Sequence, residues 1–280
     1  MTLLAVAEVG LGVRDPDAPV LHADDGGVLR GRAVFETIRV YDGHPFRLDA
    51  HLDRLAASAA RIGLPPVDAD GLAAAADQAL HAGGSRDAVL RLLWTPGREG
   101  GTTPTGLALV STLPSGHEQL RVRGLRLAVV PWAPGALIAG TKSTSYAENM
   151  AAQDEAARRG ADDALFVAPD GVVLEAPTSN VWWREDRRLL TPSLELPILA
   201  GVTRATVLEL AEDAGYGVEE GTFPLGRLLA AHEAFLTSSI REVMPVVAVP
   251  EHVLGDGRPG PAAETFQRAL RAAAGYPVER

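Results

Sequence analysis

The chain contains no cysteine among its 280 residues, which excludes disulfides, thiolate catalysis and thiolate metal sites. It has no run of basic residues, and its net charge of −10 argues against a nucleic-acid surface. No stretch reaches the roughly 18 consecutive apolar residues that a membrane helix needs. The first residues also lack the basic start of a signal peptide. We therefore expect a cytoplasmic globular protein without a metal site.

Lysine is almost absent as well. Lys142 is the only lysine, and every other basic residue apart from the histidines is arginine. A primary amine can lose its proton, attack a carbonyl and form a Schiff base, whereas a guanidinium cannot. A composition that merely avoids lysine would also leave one copy by chance, so the neighbourhood of Lys142 decides between the two interpretations.

The first half of the chain alternates short strands with two helices. Residues 33–41 are rich in β-branched and aromatic side chains, and Asp42-Gly43 then predicts a tight hairpin. The other elements predicted in this half are helices at 48–62 and 69–82 and strands at 88–95 and 105–112. Residues 113–121 combine Pro, Ser and Gly with polar residues, and we interpret them as an interdomain loop.

The second half contains strands and helices without a regular βαβ alternation. We predict strands at 122–131, 163–168, 171–175, 179–184, 233–238 and 243–249 and helices at 146–159, 202–214 and 261–274. This mixture predicts an α+β fold with two domains. Their predicted bounds are 1–112 and 122–280.

Several residues near Lys142 and beyond it fit the needs of pyridoxal phosphate, a Schiff-base cofactor. Such an enzyme needs a lysine, an acid beside the pyridine nitrogen and a phosphate cradle. Glu175 follows an apolar strand and could be that acid, although a solvated turn carboxylate is the simpler interpretation. An arginine fork and a helix start both bind phosphate well, and Arg54 and the amides of Val202 and Thr203 are candidates. Arg54 alone would also pass as a surface cation, and Thr203 could serve as a simple helix cap. Ser239 could add a hydroxyl or be an ordinary turn serine.

The order of five motifs resembles that of the fold-type IV pyridoxal-phosphate enzymes, also called class IV aminotransferases. The resemblance covers about residues 31–245. The five motifs are GRAVFETIRVYDGHPFRLDAHLDRL, GTKSTSYAENMAA, GADDALFVAPDGVVLEAPTSNVWW, LAGVTRATVLELA and EAFLTSSIREVMPV. The resemblance implies a smaller N-terminal α+β domain and a larger C-terminal domain built around a pseudobarrel, with pyridoxal 5′-phosphate between them. It also implies a homodimer that acts on a small carboxylate substrate.

The resemblance further implies a role for each site residue. Lys142 would form the Schiff base and then transfer protons, Glu175 would contact the pyridine nitrogen, and Tyr146 would bind near the ring hydroxyl. Asn180 would support the turn that carries Glu175. The residues implied to hold the phosphate are Arg54, Val202, Thr203 and Ser239.

The family contains both lyases and aminotransferases, and residues of the N-terminal half favour a lyase. This sequence resembles the lyases in having a threonine at position 37. The Thr37 hydroxyl could hydrogen-bond the ether leaving group, or Thr37 could simply be a β-branched residue that fills a strand position. Arg91 could bind a substrate carboxylate in either class. The loop TPGREGGTTPT contains Arg98 but no histidine, unlike the Arg-x-His carboxylate trap of D-amino-acid aminotransferases. The spacing of Lys142 and Tyr146 is also that of the lyases.

We therefore expect a 4-amino-4-deoxychorismate lyase of folate biosynthesis, which releases 4-aminobenzoate and pyruvate. The alternative is a class IV aminotransferase acting on branched-chain or D-amino acids.

Overall fold

The computed structural model describes residues 1–133, 135, 137–250 and 252–276. The chain divides into two compact units. Unit 1 comprises Met1–Ser115 and Gly140–Tyr146, and unit 2 comprises Gly116–Ala139 and Ala147–Arg280.

Unit 1 is an antiparallel sheet with helices on one face. Its elements are β1 (Leu3–Glu8), β2 (Gly12–Arg14), α1 (Gly26–Arg30), β3 (Val34–Tyr41), β4 (His44–Pro45), α2 (Leu48–Arg61), α3 (Ala69–Gly83), β5 (Ala88–Thr95) and β6 (Thr105–Ser111). The six strands lie in the order β2-β1-β6-β5-β3-β4. The hairpin predicted at Asp42-Gly43 is confirmed: φ is positive at both residues, and Tyr41 pairs with His44.

Alternation along β3 builds the core of unit 1. Val34, Ile38 and Val40 are fully buried and pack with α2 and α3. Because successive side chains of a strand point to opposite faces, Glu36 lies on this same helix-covered face. An ionisable residue in that position requires partners from the helices.

Residues 140–146 belong to unit 1 although they follow the first stretch of unit 2 in sequence. The N–H of Phe35 donates to the carbonyl of Lys142 at 3.0 Å, and the N–H of Thr144 donates to the carbonyl of Ala33 at 2.8 Å. The hydroxyls of Thr144 and Ser145 both donate to the carbonyl of Gly31 at 3.0 Å. The sequence prediction grouped these residues with the C-terminal domain, but their backbone bonds join them to the start of β3.

Unit 2 is built around a mixed sheet with parallel and antiparallel pairings. Its elements are α4 (His117–Arg123), β7 (Leu125–Pro131), α5 (Ala147–Arg158), β8 (Asp163–Val167), β9 (Asn180–Glu185), β10 (Arg188–Pro192), α6 (Val202–Ala211), β11 (Gly217–Gly221), α7 (Leu225–Leu229), β12 (Glu233–Ser238), β13 (Glu242–Val249), β14 (His252–Val253) and α8 (Pro261–Ala273). Among the described residues the strands follow the order β11-β10-β9-β12-β13-β7-β8, with β14 on β13. This sheet corresponds to the predicted pseudobarrel, and the α+β fold class is confirmed.

Two local predictions in this half were wrong. Residues 117–123, divided between the predicted loop 113–121 and the predicted strand 122–131, form α4. Its sequence, HEQLRVR, has no helical apolar period, and none of its residues is buried. Arg121 fixes the helix by donating to main-chain carbonyls of residues 241 and 243. The predicted strand 171–175 contains only isolated bridges at Val172 and Val173. Within the described ranges no helix has the length and hydropathy to cross a bilayer.

Candidate active site

The predicted site residues fall into two groups, one in each unit. Unit 1 contains Thr37, Arg54, Arg91, Lys142 and Tyr146. Unit 2 contains Glu175, Asn180, Val202, Thr203 and Ser239.

Lys142 is held by its backbone on both sides. Its N–H donates to the hydroxyl of Ser58 on α2 at 3.2 Å, and its carbonyl accepts from Phe35 on β3. The Nζ atom lies 4.6 Å from the centroid of the Phe35 ring, a cation–π distance. The ring of Tyr146 meets Phe35 edge-on at 5.5 Å. Phe35 is therefore the common neighbour of the two residues predicted to act at the cofactor's reactive end.

Arg54 belongs to a buried ionic group on the helix-covered face of β3. Its Nε and Nη2 donate to the two carboxylate oxygens of Glu36 at 2.8 and 2.6 Å. The Nδ1 atom of His51 lies 2.7 Å from Glu36 Oε2. The side chains of Glu36 and His51 are almost completely buried, and that of Arg54 is 13% exposed. We call Glu36, His51 and Arg54 the Glu36 cluster.

Protonation in the Glu36 cluster follows from its burial and its charges. Burial raises the pKa of Glu36, but the hydrogen bonds from Arg54 and His51 outweigh it and lower that pKa from 4.5 to about 2. Burial lowers the pKa of His51; Glu36 opposes this shift, and Arg54 and Lys142 add to it. Glu36 is therefore ionised and His51 neutral at pH 7, so His51 donates its Nδ1–H to the carboxylate.

Thr37 and Arg91 lie opposite each other on adjacent strands. They are direct partners in the antiparallel pairing of β3 with β5. Thr37 is two residues from Phe35 on the same strand, so their side chains share the face opposite Glu36. Thr37 is half-buried and Arg91 is exposed. Thr37 and Arg91 therefore lie on the same sheet face as Phe35, the residue that contacts Lys142.

Arg98, the arginine of the loop between β5 and β6, forms an ion pair within unit 1. Its Nε donates to both carboxylate oxygens of Asp24 at 3.0 Å, and both side chains are exposed. This loop arginine therefore forms a surface ion pair with a neighbouring loop.

Glu175 in unit 2 is held by an amide side chain and by the main chain. Asn180 Nδ2 donates to Glu175 Oε2 at 3.0 Å and to the carbonyl of Leu199 at 2.9 Å. The N–H of Leu199 donates to both Glu175 oxygens at 3.2 Å. The carboxylate is half-buried and anchored on its own unit, as the predicted partner of a pyridine nitrogen must be.

The start of α6 has the form of an anion-binding helix terminus. Its N-cap is Gly201, and no side chain caps the helix. Val202 and Thr203 are buried, and their amides lie in the first turn, where helices leave N–H groups without intrahelical acceptors. A Cβ at Gly201 would lie 2.0 Å from Asn180 Oδ1. Only glycine therefore lets this helix start approach the side chain that holds Glu175, and this close-packed, uncapped turn fits a phosphate.

Ser239 lies in the turn between β12 and β13 and is half-buried. The turn ends at Glu242, whose φ of 57° is in the left-handed region. Its buried carboxylate accepts from Gln267 at 2.6 Å, Arg271 at 2.7 Å and Arg121 at 3.1 Å. These contacts hold the strained residue and with it the turn that carries Ser239.

Sequence reasoning missed the Glu36 cluster as a unit. A signal was present, because Glu36 stands between the core residues Val34 and Ile38 in an alternating strand. His51 and Arg54 are three residues apart and therefore neighbours on a helix surface. Ser58, which receives the Lys142 amide, continues the same side of α2.

The family model described as "Amino-transferase class IV" matches residues 33–249. The chain is 36% identical to the "Bifunctional aminodeoxychorismate lyase / D-amino acid transaminase" of Mycobacterium tuberculosis, over 93% of this chain and 96% of that one. It is 33% identical to the "Aminodeoxychorismate lyase" of Bacillus subtilis, over 86% and 85%. The PLP-bound structure of a "hypothetical aminotransferase" from M. tuberculosis superposes with a TM-score of 0.89 at 34% identity, covering 96% of this chain and 98% of that one.

The chain therefore belongs to the class IV aminotransferases, a family of pyridoxal-phosphate enzymes. The predicted cofactor is confirmed at the level of the family. Among these relatives both lyase and transaminase names occur, so membership leaves the reaction open.

Proposed function

We propose that this protein is a pyridoxal-phosphate-dependent 4-amino-4-deoxychorismate lyase. The observation that carries the proposal is the pairing of Thr37 with Arg91 on the sheet face shared by Phe35, the neighbour of the Lys142 ammonium. A hydroxyl beside a carboxylate-binding cation suits a substrate with an enolpyruvyl ether. The lyase names of two relatives support the same reaction.

Bound pyridoxal phosphate supplies an aldehyde for the amine and a ring that accepts electrons. The phosphate would be held by Arg54, the amides of Val202 and Thr203, and Ser239. Glu175, held by Asn180, would contact the pyridine nitrogen and keep it protonated.

Lys142 would carry out the proton chemistry. With its amine free, Lys142 Nζ would remove the proton from the substrate carbon that bears nitrogen. Tyr146, packed edge-on against Phe35, would be positioned by that ring to hydrogen-bond the cofactor's ring hydroxyl.

Thr37 and Arg91 would act on the leaving group. Arg91 would bind a substrate carboxylate, and the Thr37 hydroxyl would donate to the ether oxygen while the carbon–oxygen bond breaks. The bond's electron pair leaves with the enolpyruvate, which takes up a proton to become pyruvate. The remaining ring becomes aromatic 4-aminobenzoate.

The test mixes cofactor-loaded protein with enzymatically generated 4-amino-4-deoxychorismate and follows 4-aminobenzoate fluorescence and pyruvate together. We expect equal amounts of both products at catalytic turnover. Thr37→Val should lower turnover about tenfold, the cost of about one hydrogen bond to a charged group, without weakening cofactor binding. Thr37→Ser is the matched control because it keeps the hydroxyl. Equal rates for Thr37→Val and the unsubstituted protein would remove Thr37 from the mechanism.

Lys142 is tested separately. Lys142→Arg keeps a positive charge beside Phe35 but cannot form a Schiff base, so the near-ultraviolet and visible Schiff-base absorbance and turnover should both be lost. Retention of that absorbance would assign the Schiff base elsewhere.

The second candidate is a D-amino-acid aminotransferase, favoured by the double name of the M. tuberculosis relative. Conversion of the cofactor absorbance to that of the pyridoxamine form on adding D-amino acids, without 4-aminobenzoate release, would support it. The same conversion with branched-chain L-amino acids would support the other aminotransferase alternative. We also propose a homodimer, which light scattering of the purified protein tests.

A further inference from the structure

The Glu36 cluster places an ion pair where stability alone does not require one. Glu36 occupies a position on β3 between Val34 and Ile38, on the face that packs against α2 and α3. Well-packed apolar residues at buried ion-pair positions are often as stabilising or more so, because both charges must be desolvated. The cluster therefore calls for an explanation other than the stability of unit 1.

We propose that Glu36 is a positioning residue for Arg54, and that His51 in turn fixes Glu36. This inference rests on the proposed function, in which Arg54 contacts the cofactor phosphate. Glu36 binds one edge of the guanidinium with both oxygens, at 2.8 and 2.6 Å, which fixes its plane. A phosphate would then meet the other edge of an already oriented cation.

His51 completes the arrangement without adding charge. It is neutral and donates to Glu36 Oε2 at 2.7 Å, the oxygen that also accepts from Arg54 Nη2. One carboxylate therefore balances one guanidinium, and the hydrogen bond from His51 restricts rotation of the carboxylate. An arginine ordered before binding loses less side-chain entropy when the phosphate arrives, so affinity for the phosphate group rises.

The experiment compares pyridoxal phosphate with pyridoxal, which lacks the phosphate. Apoprotein is titrated with each ligand and followed by absorbance. The dissociation constant of pyridoxal divided by that of pyridoxal phosphate measures recognition of the phosphate, and a lower ratio means weaker recognition. Arg54→Ala should lower this ratio, and Glu36→Gln should lower it about tenfold, as expected for a charge-assisted contact made less well. In the double variant, Glu36→Gln should add nothing to Arg54→Ala.

Two further variants separate positioning from general stability. His51→Leu removes the donor to Glu36 and should lower the ratio, whereas His51→Asn keeps a donor near Nδ1 and should restore it. Asp87→Asn is the matched control: it neutralises the carboxylate that accepts from Arg39 of β3 at 2.9 Å, and it should leave the ratio unchanged. Should Glu36→Gln fail to fold, the two His51 variants decide the question.

An unchanged ratio in Glu36→Gln, with a lowered ratio in Arg54→Ala, would overturn the positioning role and leave the proposed function intact. One form of this unchanged ratio is equally weaker binding of both ligands in Glu36→Gln, which is the result expected of a purely structural role. An unchanged ratio in Arg54→Ala would remove Arg54 from the phosphate site, and the inference would fail with it.

Discussion

The two groups of site residues are held in place by different physical means. In unit 1, Arg54 is fixed by the buried charges and hydrogen bonds of Glu36 and His51. In unit 2, Glu175 is fixed by a main-chain N–H and by the Asn180 side chain. Asn180 can occupy its position because Gly201, which lies against it, has no Cβ. The first group should therefore be sensitive to protonation, and the second to the size of a side chain.

The largest expected effect is the acid sensitivity of unit 1. The folded-state pKa of Glu36 is about 2, below its ordinary value of 4.5. Its ionisation therefore stabilises the fold fully above pH 4.5, and this contribution is lost as the pH falls through about 2. The loss amounts to about 2 kcal/mol by pH 3 and about 3 kcal/mol by pH 2. His51, with a lowered pKa, adds a loss of the same sign below pH 6.5.

Urea unfolding at pH 5, 4 and 3 measures this effect in the unsubstituted protein and in Glu36→Gln. The difference between their unfolding free energies should shrink as the pH falls. A difference that stays constant over this range would show that the Glu36 charge is not coupled to folding.

The next effect is steric and belongs to unit 2. Gly201→Ala places a Cβ 2.0 Å from Asn180 Oδ1, so the Asn180 side chain or the start of α6 must move. We expect a loss of about 2 kcal/mol in unfolding free energy, independent of pH between 5 and 8, together with weaker cofactor binding. Gly217→Ala is the control, because a Cβ there meets no atom within 4 Å. Equal stability of the two variants would contradict the close contact.

The smallest expected effect on the unfolding free energy comes from a change of charge without a change of size in unit 2. Asn180→Asp keeps the size of the side chain but replaces the donor to Glu175 with a second carboxylate. We expect a loss of about 1 to 2 kcal/mol at pH 7 that diminishes below pH 4. Asn149→Asp is the comparator, since its amide donates to the carbonyl of Pro177 at 2.7 Å instead of to a carboxylate. A comparable loss in both variants would mean that the charge of Glu175 has no special part.

Sequence reasoning performed well where the signal was local. Strands 88–95 and 233–238 were predicted with the bounds that the structure has, because β-branched and apolar runs end at clear turn residues. The helix start at Val202 was predicted from a Gly-rich turn and is confirmed. The same reasoning failed for α4, whose position depends on contacts from Arg121 to strand β13 and whose own residues show no apolar period.

The assignment of site roles to residues remains a prediction, but the surroundings of those residues could not have been read from the sequence. Lys142 and Ser58 are 84 positions apart, and Glu175 and Leu199 are 24 apart. Such contacts depend on how strands and helices pack, which no local pattern records.

By itself the sequence determined the family, the order of its motifs and the singular lysine, because these reside in residue types and short spacings. Only the tertiary structure decided that residues 140–146 pair with the start of β3, and that Glu36 meets His51 and Arg54. The physical reason is that a buried charge must find its partners across elements, and the packing of α2 on the sheet provides them.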